Sequence, residues 1–324
     1  MNAKNILVPT DLSQASLEGV KMAVTLAELN GGTIHLIHVI PLMSYYTESI
    51  DNLGLPLDME KELYPKALQR VNKKLHDIAE ELIPKEHRGL LVDQVGRKPW
   101  RVIAEQANNG DYDLVIMSNK GGHEVDAVRS NITEKVIRFS EIPVLSVTKA
   151  FTKTEVNDIL VPIDGSKDAN AALVPAFELA EQFDAGITLI HIVEPYTLGM
   201  EVIPPFMEDD EAIYSSLIEN ISKYFEEKPT LGFSIQRSGI DFEDYLIREE
   251  GSDSVSIKFV TVVKKGFSPH TEISEHADEN SDLVVMSTHG RTGISRVILG
   301  STTGMIAQHL NHSLYTFRPV KHSE

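Results

Sequence analysis

The residue types best suited to chemistry cluster between Ser287 and Thr303, in the run STHGRTGISRVILGSTT. Gly290, Gly293 and Gly300 let a backbone approach an anion closely. Ser301, Thr302 and Thr303 place hydroxyls where a helix with Met305, Ile306 and Leu310 on its apolar face should begin. The first-turn N–H groups of a helix have no intrahelical acceptor, so such a loop offers a phosphate amide donors, hydroxyls and a positive dipole end. Met286 and Ser287, closing the apolar run before the loop, stand at its mouth. His289 is suited to ligand contact, and Arg291 and Arg296 either offset phosphate charge or are solvated loop and helix residues. No Gly-Lys-Ser/Thr occurs, so this is not a Walker A loop. The glycines alone would equally fit an ordinary strand-to-helix turn.

The surrounding chain is an internal duplication. NILVPTDLS at Asn5 to Ser13 returns as DILVPIDGS at Asp158 to Ser166, and the same offset of 153 carries His38 onto His191. Farther on, VGRKPWRVI with Gly96 and Pro99 matches KGFSPHTEI with Gly266 and Pro269, and DLVIMSNKG matches DLVVMSTHG, at offsets of 170 and 169. The second copy has therefore gained about 16 residues between Ile192 and Gly266. Copy boundaries of 1–150 and 155–320 follow, with Thr148 to Val156 as the linker.

Each copy alternates short β-rich runs with helical stretches, the pattern of βα units around a parallel sheet covered on both faces. Copy one predicts strands at Ile6 to Val8, Ile34 to Val39, Leu91 to Val95, Leu114 to Met117 and Val144 to Val147. Copy two predicts Ile159 to Val161, Ile187 to Val193, Ser256 to Val263, Leu283 to Met286 and Leu314 to Phe317. Leu17, Val20, Val24 and Ala27 recur as Leu173, Ala176, Ala180 and Phe183, one buried helix face in each copy. The fold class is thus α/β, as two tandem doubly wound parallel-sheet domains. An open parallel sheet binds ligands beyond the carboxyl ends of its strands, where Asp11 or Asp164 follows the first strand and the glycine loop follows the fourth.

Composition removes other classes. The 324 residues are 42% hydrophobic and 24% charged, without a run of the roughly 20 apolar residues a membrane span needs. Zero cysteines exclude disulfides, thiolate metal sites and cysteine nucleophiles. The start MNAKNILVPTD lacks the apolar centre of a signal peptide, so a cytoplasmic location is expected. Of the net charge of −18, residues 1–152 carry −3 (17 Lys+Arg, 20 Asp+Glu) and the second half −15. Residues 201–253 alone hold 14 acidic and 4 basic side chains. Such a surface repels a phosphate backbone, so nucleic acid is not an expected partner.

At this level of detail the chain resembles a tandem-type universal stress protein over nearly its whole length. That family is similar in fold to small nucleotide-binding α/β domains of the adenine nucleotide alpha hydrolase type, and its ATP-binding members carry Gly-x2-Gly-x9-Gly-Ser/Thr after the fourth strand. Here the pattern reads Ser287-x2-Gly290-x9-Gly300-Ser301, with serine for the first glycine. By this resemblance Asp164 faces the adenine and ribose, Pro162, Ile163 and Ile192 contact the base, and Gly290, Gly300, Ser301, Thr302 and Thr303 hold the phosphates. It implies ATP, with AMP or ADP as alternatives and Mg2+ as a companion, bound in the C-terminal copy as a signal. It also implies pairing of the two copies within one chain, further dimerisation of whole chains, and a protein partner whose identity the sequence does not give.

Copy one departs from the pattern, because Asn131-Ile132-Thr133 replaces Gly300-Ser301-Thr302 and Glu124 and Asp126 add negative charge. One binding copy and one structural copy are therefore expected. Asp164 has a second reading as a helix cap or acceptor for loop amides, with Ser166 a rival cap. His35, His38 and His191 lie in strands without a compact ligand motif such as HExxH, so packing or hydrogen bonding is preferred to metal binding. Nothing reads as a nucleophile beside its base. An ATP hydrolase or nucleotide-dependent transferase and a nucleotide-free scaffold remain as alternatives on the same fold.

Overall fold

A computed structural model describes residues 3–41, 64–119, 126–194, 197–198, 201–202, 209–251, 253–288, 299–309 and 312–319. The chain divides after Thr152 into two compact units. In the first, β1 (Asn5–Pro9), α1 (Leu17–Asn30), β2 (Thr33–Pro41), α2 (Tyr64–Leu82) and β3 (Arg88–Gly96) are followed by α3 (Pro99–Asn109), β4 (Leu114–Ser118), α4 (Asp126–Phe139) and β5 (Val144–Val147). The sheet order is β5-β4-β1-β2-β3 and every pairing is parallel. Ile6, Leu7 and Val8 are all 0% exposed although successive side chains point to opposite faces, so both faces of the sheet are covered. Helix α1 ends at Gly31, whose φ of 65° is the left-handed cap that glycine adopts without strain. Its buried face is Val20, Met22, Ala23, Leu26 and Ala27, whereas Leu17 and Val24 flank it half-buried, a rotation from the face predicted above.

The second unit repeats the plan with β6 (Asp158–Pro162), α5 (Lys167–Asn170), α6 (Leu173–Phe183), β7 (Gly186–Val193) and a two-stranded ribbon β8 (Thr197–Leu198) and β9 (Glu201–Val202). Then come α7 (Asp210–Glu226), β10 (Phe233–Ile240), β11 (Glu243–Glu250), β12 (Asp253–Lys265), α8 (Pro269–Asn280), β13 (Leu283–Ser287), α9 (Ser301–His309) and β14 (Ser313–Phe317). Leu173, Ala176, Ala180 and Phe183 are all buried, as their spacing predicts. The sheet order β14-β13-β6-β7-β12 reproduces the first unit with parallel pairings.

Beyond β12 the sheet continues antiparallel through β11 and β10, two strands the sequence reading missed. They correct the expectation of a purely parallel sheet and account for most of the extra length of the second copy. Charge concealed them: Glu243, Asp244, Arg248, Glu249 and Glu250 all lie within β11 and break up its apolar alternation. One of these is interior. Asp244 is 0% exposed and accepts from the Tyr214 hydroxyl at 2.6 Å, the Ser238 amide at 3.2 Å and Arg237 Nε at 3.1 Å. This network fastens α7 to the added strands, and burial followed by the adjacent carboxylate pushes the Tyr214 phenol up to about 12.

Candidate functional site

The chain order reverses between β6 and β13, because β7 and β12 build out on one side of β6 and β13 returns on the other. A parallel sheet leaves a crevice beyond the strand ends at such a switch point. A cavity of about 220 Å³ lies there. Pro162, Ile163 and Asp164 reach it from the end of β6, Ile192 from β7, Met286 and Ser287 from β13, and Gly300, Ser301, Thr302 and Thr303 from the start of α9. Ten of the twelve residues singled out in the sequence thus share one cavity, while Gly290 and Gly293, like His289, Arg291 and Arg296, lie outside the described residues.

Local bonds explain the shape of its polar end. The Gly300 amide donates to the Thr288 carbonyl at 2.9 Å, bringing the loop back to the strand it left. Thr303 Oγ1 donates to the Ser287 carbonyl at 3.0 Å, which seats the first turn of α9 against the end of β13. Ser301 is exposed and Thr302 half-buried, and both line the cavity at the helix start, where first-turn amides have no intrahelical acceptor.

Away from α9 the lining is largely apolar, with the carboxylates of Asp164 and Glu194 among it. Asp164 Oδ1 accepts from the Ser166 amide at 2.9 Å across Gly165, whose φ is 77°. Ser166 in turn caps α5 by accepting from the Ala169 amide, so the cap belongs to Ser166 and Asp164 orders the turn. His191 Nδ1 donates to the Ile163 carbonyl at 2.8 Å, and His38 makes the same 2.8 Å bond to Thr10 in the first unit. Each histidine therefore pins the turn after the first strand of its unit, and burial lowers the pKa of His38. His35 Nδ1 instead accepts from the Leu90 amide at 3.1 Å, with its ring edge-on to Tyr112.

Ala169, Ile190, Glu194, Pro269 and Ile273 also line the cavity and were not anticipated. Two signals could have found most of them. Ile190 and Glu194 share the face of Ile192 by the period of two along a strand. Pro269 follows the third strand at its carboxyl end, as Asp164 follows the first.

A model of the universal stress protein family matches residues 2–148 and again 155–318. The chain belongs to the universal stress protein family. A universal stress protein of Methanocaldococcus jannaschii is 30% identical over 151 residues, 45% of this chain and 82% of that one. The universal stress protein E homolog of Haemophilus influenzae is 25% identical over 339 residues, 99% of both chains. In fold, the chain is similar to the crystal structure of a universal stress protein from Archaeoglobus fulgidus, with a TM-score of 0.55, 19% identity and coverage of 99% and 98%.

The two universal stress protein units also differ where α9 begins. In the first unit α4 runs Asp126–Phe139 and passes straight through Asn131 and Ile132, the counterparts of Gly300 and Ser301. Mid-helix amides bond to the carbonyl four residues back, so none is left at that point for an anion. Glu134, 4% exposed and ion-paired with Arg138, stands where the second unit has Thr303. Among the described residues, no helix is long and apolar enough to cross a membrane.

Proposed function

We propose that this universal stress protein binds ATP, or another adenine nucleotide such as AMP or ADP, in the cavity of its second unit, and that occupancy is a conformational or stability signal read by a protein partner. The observation that carries this reading is the polarity of the cavity, with the first turn of α9 at Ser301, Thr302 and Thr303 on one side, Ile192 and Glu194 on the other, and Ile163 and Asp164 between them. Strands lie about 4.8 Å apart, so the order β13-β6-β7 separates cradle from apolar end by roughly 10 Å, with Asp164 midway. Phosphates, ribose and base follow one another in that order. The buried Glu134 and the continuous α4 support leaving the first unit without nucleotide.

Amides that hold a phosphate chain stabilise ground and transition states alike, which favours binding over turnover. Mg2+, where it accompanies a triphosphate, would rest mainly on phosphate oxygens, since no group of three or more His, Asp or Glu side chains forms a cage among the described residues. A ligand that binds one conformation better shifts the population toward it, which is how such a site signals without chemistry. The net charge of −18 supports a partner other than nucleic acid. Titration calorimetry with ATP is expected to give one site per chain. Two equivalent sites, or no binding heat, would overturn the reading.

A further inference from the structure

The turn between β12 and α8 carries an aromatic ring that folding does not use. Phe267 is 81% exposed, more than any other large apolar side chain among the described residues. Leaving an aromatic ring in water forgoes the burial that normally justifies it. The backbone beneath the ring is nonetheless held firmly. Gly266 is buried and donates its amide to the Val193 carbonyl at 3.1 Å. A Cβ on Gly266 would fall 2.5 Å from the Glu272 carboxylate, so the first turn of α8 packs closely on this turn. On the other side of the ring, the Ser268 carbonyl accepts from the Thr271 and Glu272 amides at 3.0 and 3.1 Å.

These anchors fix the turn that carries the ring beside residues of the cavity, although Phe267 is not itself one of the residues that line it. Val193 immediately precedes Glu194, and Pro269 and Ile273 belong to the helix that follows the ring; Glu194, Pro269 and Ile273 all line the cavity. The matching turn of the first unit reads Gly96-Arg97-Lys98-Pro99, so the aromatic residue occurs in the copy whose helix begins at the cradle and not in the other.

We infer that Phe267 is a stacking residue for the flat face of a nucleobase held at the apolar end of the cavity, which makes the ligand one that carries a planar aromatic base. The inference rests on the nucleotide reading above. A ring on a rigid turn loses little conformational freedom when a base settles against it. It also accepts any base, since every base has a π-face, and leaves discrimination to groups that reach the base edge, such as Glu194.

The test compares wild type with Phe267→Ala and Phe267→Trp, titrated with ATP and with inorganic tripolyphosphate. Base–aromatic stacking corresponds to about a 5- to 150-fold weakening on truncation to alanine. Phe267→Ala is expected to lose ATP affinity by that factor and to bind tripolyphosphate as wild type does. Phe267→Trp is expected to restore ATP affinity, with an ATP-dependent fluorescence change absent from wild type, whose one tryptophan is Trp100. Unchanged ATP affinity in Phe267→Ala, or equal losses for ATP and tripolyphosphate, would overturn the stacking role while leaving the nucleotide reading in place. Absence of ATP binding to wild type would remove both.

Discussion

Rebuilding the cradle of the second unit with first-unit residues, as Gly300→Asn with Ser301→Ile, separates the binding role of this loop from a folding role. Ser301 is exposed and Gly300 half-buried, so the change removes no core contact. Isoleucine and asparagine cost a helix start only a few tenths of a kcal/mol, and the first unit already folds with them at these positions. The intact cradle, by contrast, should be visible in melting. ATP at about 100 times its dissociation constant stabilises a native protein by roughly 2.7 kcal/mol. With an unfolding entropy of about 2.1 cal/mol/K per residue, that raises Tm by about 4 °C if the 324-residue chain melts as a whole, and by about 7 °C if residues 153–324 melt alone. Calorimetric scans with and without ATP are expected to show that increment in wild type and its loss in the variant, whose ligand-free Tm should shift by less than about 2 °C. A variant that retains the full increment would mean that the start of α9 does not hold the phosphates. One that unfolds without ligand would mean that Gly300 serves the fold.

Three further outcomes are expected. Tyr214→Phe deprives the buried Asp244 of one of its partners and should lower stability by about 1.5–3 kcal/mol in urea titration. The Tyr214 phenol is raised from 10 to about 12, so its contribution is complete below pH 10 and is lost between pH 10 and 12; the wild-type stability profile should contain that loss and the Tyr214→Phe profile should lack it. Phosphate release from ATP should stay far below the roughly 10 per second typical of enzymes; a rate of that order, abolished by Asp164→Asn with affinity intact, would establish a hydrolase instead.

The sequence by itself determined the duplication, the ten strands common to the copies and the residues at their carboxyl ends, because a parallel sheet buried on both faces needs uninterrupted apolar runs. LVVM at Leu283 to Met286 is one such run, and β13 extends it only to Ser287. Strand ends alone pointed to Asp164 and to the loop that runs into Ser301, Thr302 and Thr303, whereas Pro162, Ile163 and Ile192 came from the family resemblance; all of these line the cavity. What the sequence could not show depends on neighbours in space. Strands β10 and β11 were hidden because Asp244 reads as a surface charge until Tyr214, Arg237 and Ser238 surround it. Ile273 reaches the cavity only because β7 lies between β6 and β12, an adjacency no local pattern encodes. The start of α9 at Ser301, against the run of α4 through Asn131 and Ile132, decides which copy offers open amides. Glycine and side-chain preferences near 1 kcal/mol only bias where a helix begins, and packing of the first turn, as of Thr303 onto Ser287, decides it.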